Sequence, residues 1–285
     1  MKRMVMAVIL MIQYGYCVSG QQWPQDFVLV KGGNYDRAVV GGIGKGKAKI
    51  KDFYISKYEL TVSEWKAYLK AIGQINLFEE ISVDDHEFIP ISKVTKTDDA
   101  PMPAINFIEA IQYCNWRSLQ EGLQEVYTIT GKVPPFQAKY SSKYQMPNIT
   151  YNTTANGYRL PTAMEWEWAA LGGAEGIKSR WWEKIYLLDY EYSRADYWDG
   201  YNFPVKSKKP NPLGLYHVFS NVYERCWDEG IYYDDIKRTS RIIKGVRMFE
   251  LGGNEKSFDP ILIRDGYQDP LSRNSTGIRL VRNAE

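Results

Sequence analysis

The sequence predicts an α+β fold in which two to three helices are set among short, mostly antiparallel strands. Three observations carry that expectation. Three capping boxes, each a side-chain acceptor followed three residues later by an acid, mark three helix starts. The stretches between them are short, aromatic or β-branched, and broken by Gly, Pro and Asn, as short strands and long loops are. Helical and strand patterns do not alternate regularly, which argues against a parallel βαβ sheet.

In chain order, residues 1–20 read as a secretory signal segment. Lys2 and Arg3 give a basic start, Met4 to Ile12 form an apolar run, and polar residues return at Gln13 and Ser19. The run is shorter than the ~20 apolar residues a membrane-spanning helix needs, and no later stretch is long and apolar enough. Cys17 follows Gly15 where a lipoprotein cysteine would stand, although Tyr14 and Tyr16 fit a lipobox poorly, so the anchor stays open. The expectation is export to the cell envelope or cell surface, as a lipoprotein if Cys17 is lipidated. Residues 21–285 are expected to form a single domain, because no repeat, low-complexity tract or linker interrupts the chain after Trp23.

The stretch from Gly41 to Lys47 invites comparison with a phosphate loop. No Ser or Thr follows either Gly-Lys pair and the required spacer is missing, so it reads as a flexible hairpin turn. Thr61-Val62-Ser63-Glu64 opens the first helix, expected to run to about Ile72 and end at Gly73. Asn106-Phe107-Ile108-Glu109 opens the second, with Phe107, Ala110, Ile111 and Cys114 on one apolar stripe. Thr162-Ala163-Met164-Glu165 follows Pro161 and opens the third, expected to stop at Gly172-Gly173.

Composition narrows the function. Lys+Arg 36 against Asp+Glu 34 is a near-balance, which argues against a nucleic-acid binder with its basic face. The 22 Tyr and 9 Trp suit both core and contact surface, since each ring joins large area to a polar handle. His86 and His217 are the only histidines, too few for a three-His iron or zinc site. No G-x-S-x-G elbow offers a hydrolytic serine. Glu59, Glu109, Glu165 and Glu167 fall at helix starts or on amphipathic faces, where capping and solvated surface account for them. Beyond Cys17, Cys114 and Cys226 could form one disulfide; two buried thiols acting as small hydrophobes is the preferred reading.

Several segments in order resemble the formylglycine-generating-enzyme (sulfatase-modifying factor) family across most of the mature chain. Phe27 to Gly33 is similar to its opening strand and Gly-Gly turn, and Phe53 to Thr61 to the strand before its first helix. Pro103 to Phe107, continuing to Trp116, is similar to its second helix. The most specific piece is Gly157-Tyr158-Arg159-Leu160-Pro161-Thr162-Ala163-Met164-Glu165-Trp166-Glu167-Trp168-Ala169-Ala170. Pro210 to Tyr216, Ser220 to Glu224, and Gly277 to Arg282 complete the series. The resemblance implies a C-type-lectin-like fold of the formylglycine-generating-enzyme type. Within it, Trp166, Ala169 and Ala170 suit a core-facing stripe, and Arg159 would meet either a buried acid or solvent.

The departures from the family bear on function. Its oxidising members carry a C-terminal cysteine pair that holds copper; here no cysteine follows Cys226. Its iron-dependent sulfoxide synthases need a His cluster this chain lacks. Its calcium site implies oxygen ligands just after Gly-Leu-Tyr and at the Glu of Asn-x-x-Glu. Glu224 supplies the second, but His217 replaces the first oxygen and Ser220 stands where Gly is usual. The expected cofactor set is therefore none, with calcium near Glu224 the one open case. Where the family writes Arg-Gly-Gly-Ser, this chain has Lys244-Gly245-Val246-Arg247, and the framework returns only near Gly277.

A kept scaffold with an idiosyncratic segment at about 242–276 is most similar to the variable proteins of diversity-generating retroelements. The resemblance implies a non-catalytic, monomeric ligand-binding protein whose contacts are Val246, Arg247, Met248, Phe249, Glu250, Leu251, Phe258, Asp259 and Tyr267. Phe249, Phe258 and Tyr267 would be aromatic anchors, and Arg247, Glu250 and Asp259 would give polar specificity. A core role is the competing reading for Phe249 and Phe258. The partner would be a protein or another surface ligand. The alternatives are a divergent oxidase or protein-modifying enzyme using Cys114 or Cys226, and a structural accessory that docks through a Trp-rich surface.

Overall fold

Near the start of the described chain, Phe27–Val30 (β1) runs antiparallel to Phe53–Ser56 (β4), with Val30 and Phe53 meeting in the interior. The computed structural model describes residues 26–36, 46–82, 88–136, 143–144, 146–181, 202–232, 238–245, 266–268, 270–271 and 275–284. Between β1 and β4, Gly33–Asp36 (β2) and Lys47–Ile50 (β3) form an antiparallel hairpin. The glycine-rich stretch read as a turn lies in its connection, and residues 41–45 of it are outside the described residues.

All three predicted helices form, and each start is closed in both directions by its capping box. They are Val62–Ala71 (α1), Phe107–Gln120 (α2) and Ala163–Ala170 (α3), capped by Thr61, Asn106 and Thr162. The first ends as expected, with Gly73 at φ +71°, a conformation a side chain would strain. The third also stops at its glycine pair, but the chain then resumes a helix that the sequence reading missed, Gly173–Ser179 (α4). Gly172 and Gly173 have φ +83° and +65°, left-handed conformations that interrupt the helical run between α3 and α4. Helix α2 is buried nearly all round: Phe107, Ile108, Ala110, Ile111, Tyr113 and Cys114 are in the core.

Tyr127–Thr130 (β5) pairs with Asn148–Tyr151 (β6) in a second hairpin. Tyr158–Arg159 (β7) and Val281–Asn283 (β12) join β1 and β4 in a sheet of order β1-β4-β12-β7. The other large sheet contains Tyr223–Tyr232 (β8), Arg238–Lys244 (β9), Gly266–Gln268 (β10) and Thr276–Gly277 (β11), in order β10-β9-β8-β11. Only the short β11 pairs in parallel there, with β8. The architecture is α+β with short, mainly antiparallel strands.

Among the described residues, two groups of buried side chains fill the interior. One gathers Trp65, Leu69, Phe107, Tyr113 and Tyr127 around α1 and α2; the other gathers Val30, Phe53, Ile55, Trp166 and Trp168 around α3. The closing segment serves both, with Ile278 and Leu280 in the first and Val281 in the second. Burial of such side chains removes apolar area from water and supplies the main drive for folding.

Candidate functional site: the root of the C-terminal segment

The segment singled out in the sequence leaves the sheet at the end of β9 and returns on β10. These strands are antiparallel neighbours, with Ile243 opposite Gly266, Ile242 opposite Tyr267 and Arg241 opposite Gln268. The chain entering and leaving residues 246–265 is therefore held on neighbouring strands. Gly245 precedes that segment at φ +87°, a turn that a side-chain-bearing residue adopts only with strain. Val246, Arg247, Met248, Phe249, Glu250, Leu251, Phe258 and Asp259 lie outside the described residues. Tyr267 is described as backbone within β10.

The root is held from beneath by α3. Consecutive residues Trp166 and Glu167 grip neighbouring strands. The Trp166 indole N–H donates to Glu224 Oε2 in β8 at 2.6 Å. Glu167 accepts an ion pair from Lys244 Nζ at the end of β9, and both side chains are fully buried. Its other oxygen accepts from the Tyr35 hydroxyl at 2.8 Å. The N-terminus of α3 is tied as well, since the Ala163 N–H donates to Asp228 Oδ2 in β8 at 2.6 Å. Arg159 is 3% exposed and meets a partly buried acid, making two bonds to Glu165 at 2.7 and 2.8 Å. Of the carboxylates assigned to caps or solvent, Glu109 and Glu165 do cap. Glu59 and Glu167 are corrected: both are buried, at 1% and 0% exposure, and serve as long-range anchors.

Flanking the root, Arg241 lies over the rings of Phe107 at 4.0 Å and Trp227 at 5.2 Å, and pairs with Glu229 at 2.8 Å. Trp227 is stacked on Tyr127 and touches Tyr151. No sequence signal announced this shelf, because its parts come from four separate elements.

Cys114 and Cys226 are separate buried thiols, as the preferred reading had it, and Cys17 lies outside the described residues. Burial pushes both Cys114 and Cys226 well above the ordinary thiol range, which favours the protonated form.

A second buried cluster centres on Glu224. Oε1 accepts from Arg279 Nη2 at 2.7 Å and Nε at 3.1 Å, and Oε2 accepts from Arg279 Nε at 3.0 Å as well as from Trp166. Nearby, Glu59 accepts from Asn221 Nδ2 at 2.9 Å and from the Val222 N–H. Burial and the like charge of Glu224 push the Glu59 carboxyl well above the usual range, against the pull of Arg279 and the Asn221 amide. His217 is buried, and burial with the charges of Lys208 and Arg279 lowers its pKa to about 3, so the ring is neutral.

Comparison with known proteins bears on this arrangement. The sulfatase-modifying factor enzyme 1-like domain matches residues 18–284. The chain belongs to this family. It is 30% identical over 236 residues to Chaperone protein LppX of Paenibacillus barcinonensis, covering 77% of each chain. It is 26% identical to a formylglycine-generating enzyme of Thermomonospora curvata, over 74% of this chain and 73% of that one. Among solved structures, CarF matches with a TM-score of 0.60 at 23% identity, over 91% of this chain and 98% of that one. Treponema denticola variable protein 1 matches with a TM-score of 0.57 at 20% identity, over 90% and 94%. The fold is the C-type-lectin-like fold expected of the family, and it is shared with a variable protein.

Proposed function

We propose that this chain is an exported, non-catalytic binding protein that presents residues 246–265, with Tyr267, as its contact surface. The observation that carries the reading is the pairing of β9 with β10, which pins both ends of the segment on a sheet anchored by the buried Lys244–Glu167 pair. A rigid root lets the side chains beyond it change without refolding the frame. The relative named as a chaperone favours a protein as the ligand. Arg247, Phe249 and Glu250 supply the charge and aromatic area expected of an energetic centre.

The test is a triple variant, Arg247→Ala with Phe249→Ala and Glu250→Ala, immobilised beside the wild type and exposed to envelope extract from the source cells. Matching melting temperatures with loss of the captured species are expected; equal capture by both proteins would remove the segment from the contact surface. The competing enzymatic reading requires Cys114 or Cys226 to act as a thiolate. Both are buried with raised pKa values, which opposes it. Stoichiometric copper in the purified protein, with thiol-dependent oxygen uptake, would restore it.

A further inference from the structure

The family's calcium site provides the setting for a disagreement written in this chain's own side chains. A divalent cation of this kind collects hard oxygens, mixing carboxylates with backbone carbonyls. Such oxygens do converge here, but on a guanidinium. Arg279, fully buried, donates from Nε and Nη2 to the carboxylate of Glu224. Its Nη1 donates to the carbonyls of Lys57 at 2.8 Å and Ser56 at 3.2 Å, and Nη2 also donates to the carbonyl of Tyr216 at 2.9 Å. The donor set is complete without a metal, and a second positive charge would face Arg279 directly.

The residue at the position of the first oxygen ligand is equally committed. The two ring nitrogens of His217 lie 3.0 Å from Ser220 Oγ and 3.3 Å from Ser207 Oγ. The ring also stacks on Phe203, with centroids 6.3 Å apart and planes 14° from parallel. His217 and Asn221 both have left-handed backbones, φ +53° and +67°, which side-chain-bearing residues adopt only when their surroundings hold them. Asn221 is held by Phe203, whose N–H donates to Oδ1 at 2.9 Å. An imidazole nitrogen suits transition metals, whereas calcium collects hard oxygens and does not select it.

We propose that the loop spanning 202–222 is latched without a metal, His217 bridging two serines while the carboxylate of Glu224 is already paired with Arg279. The fold and any ligand binding by this chain then need no calcium. This inference is independent of the binding role given to residues 246–265.

The test uses the full purified chain. Calcium chloride alone is titrated calorimetrically, and melting is followed in excess EDTA and in millimolar calcium. The wild type should give no saturable heat and the same melting temperature in both. His217→Asn should melt lower by about 2–4 °C or more, equally in both. If His217→Asn does not fold, Ser207→Ala removes a single contact of the latch and should still lower the melting temperature equally in both. A saturable, chelator-reversible calcium heat with a raised melting temperature in the wild type would overturn the proposal. So would a His217→Asn or Ser207→Ala protein that melts like the wild type.

Discussion

The helix starts and the C-terminal sheet are stabilised over very different distances along the chain. Thr61 with Glu64, Asn106 with Glu109, and Thr162 with Glu165 each close a helix start across three residues. The bonds around the second sheet span far more: 55 residues for Arg279–Glu224, 77 for Lys244–Glu167, 132 for Tyr35–Glu167 and 162 for Asn221–Glu59. A cap can form as soon as its helix does. A buried ion pair forms only when the whole frame has closed, because two charges must leave water together. The root of the C-terminal segment therefore depends on the global fold.

Breaking the long-range side gives the largest expected effect. Lys244→Ala leaves the buried Glu167 carboxylate without this cation and should cost about 3–5 kcal/mol, read from denaturant midpoints. Pairing Lys244→Met with Glu167→Gln removes both charges and keeps an acceptor for the Tyr35 hydroxyl, so it should recover most of that loss. If Lys244→Ala costs no more than a lost helix cap, the buried pair is not what anchors the root.

The same contrast explains what could be read in the sequence. Capping boxes are local patterns, so all three helix starts were legible, as were the core positions of Trp166, Ala169 and Ala170. Glu59 and Glu167 were misread as solvated because their partners, Asn221 and Lys244, are remote in sequence. Helix α4 escapes the sequence reading because glycines usually end helices, whereas Gly172 here caps α4 and Gly173 is its first residue. At the candidate site, the strands flanking the segment are visible in the β9–β10 register, whereas the residues proposed as contacts, except for the backbone of Tyr267, are outside the described residues. The aromatic shelf under Arg241 drew on α2, β5, β6 and β8, and no linear pattern joins them.

Glu165 joins a cap to a charge pair, capping α3 while pairing with Arg159 six residues away, and it sharpens the comparison through pH. Burial works to raise its pKa, but the two Arg159 bonds and the Thr162 contacts outweigh it, leaving the carboxyl below its ordinary 4.5. A depressed folded-state pKa gives stability that is fully present above the unfolded value and is lost as pH falls through the folded one. Glu165→Gln retains the capping acceptor and deletes the charge. The wild type should exceed the variant in stability at pH 7, with the gap narrowing as pH falls below about 4.5. A gap that stays constant down to pH 3 would assign the bond to geometry alone.

The smallest effects belong to the caps, and two of them separate burial from locality. Replacing an N-cap by Ala costs about 0.5–2 kcal/mol, because one helix N–H loses its acceptor. Asn106 is 2% exposed, so in Asn106→Ala the Glu109 N–H is stranded away from water. Thr61 is only partly buried, and in Thr61→Ala solvent can replace the lost bond to the Glu64 N–H. Asn106→Ala should thus fall near the top of the range and Thr61→Ala near the bottom, measured side by side in one denaturant. Equal losses would mean that burial adds nothing to a local bond, and the difference between helix starts and sheet root would then come from charge alone.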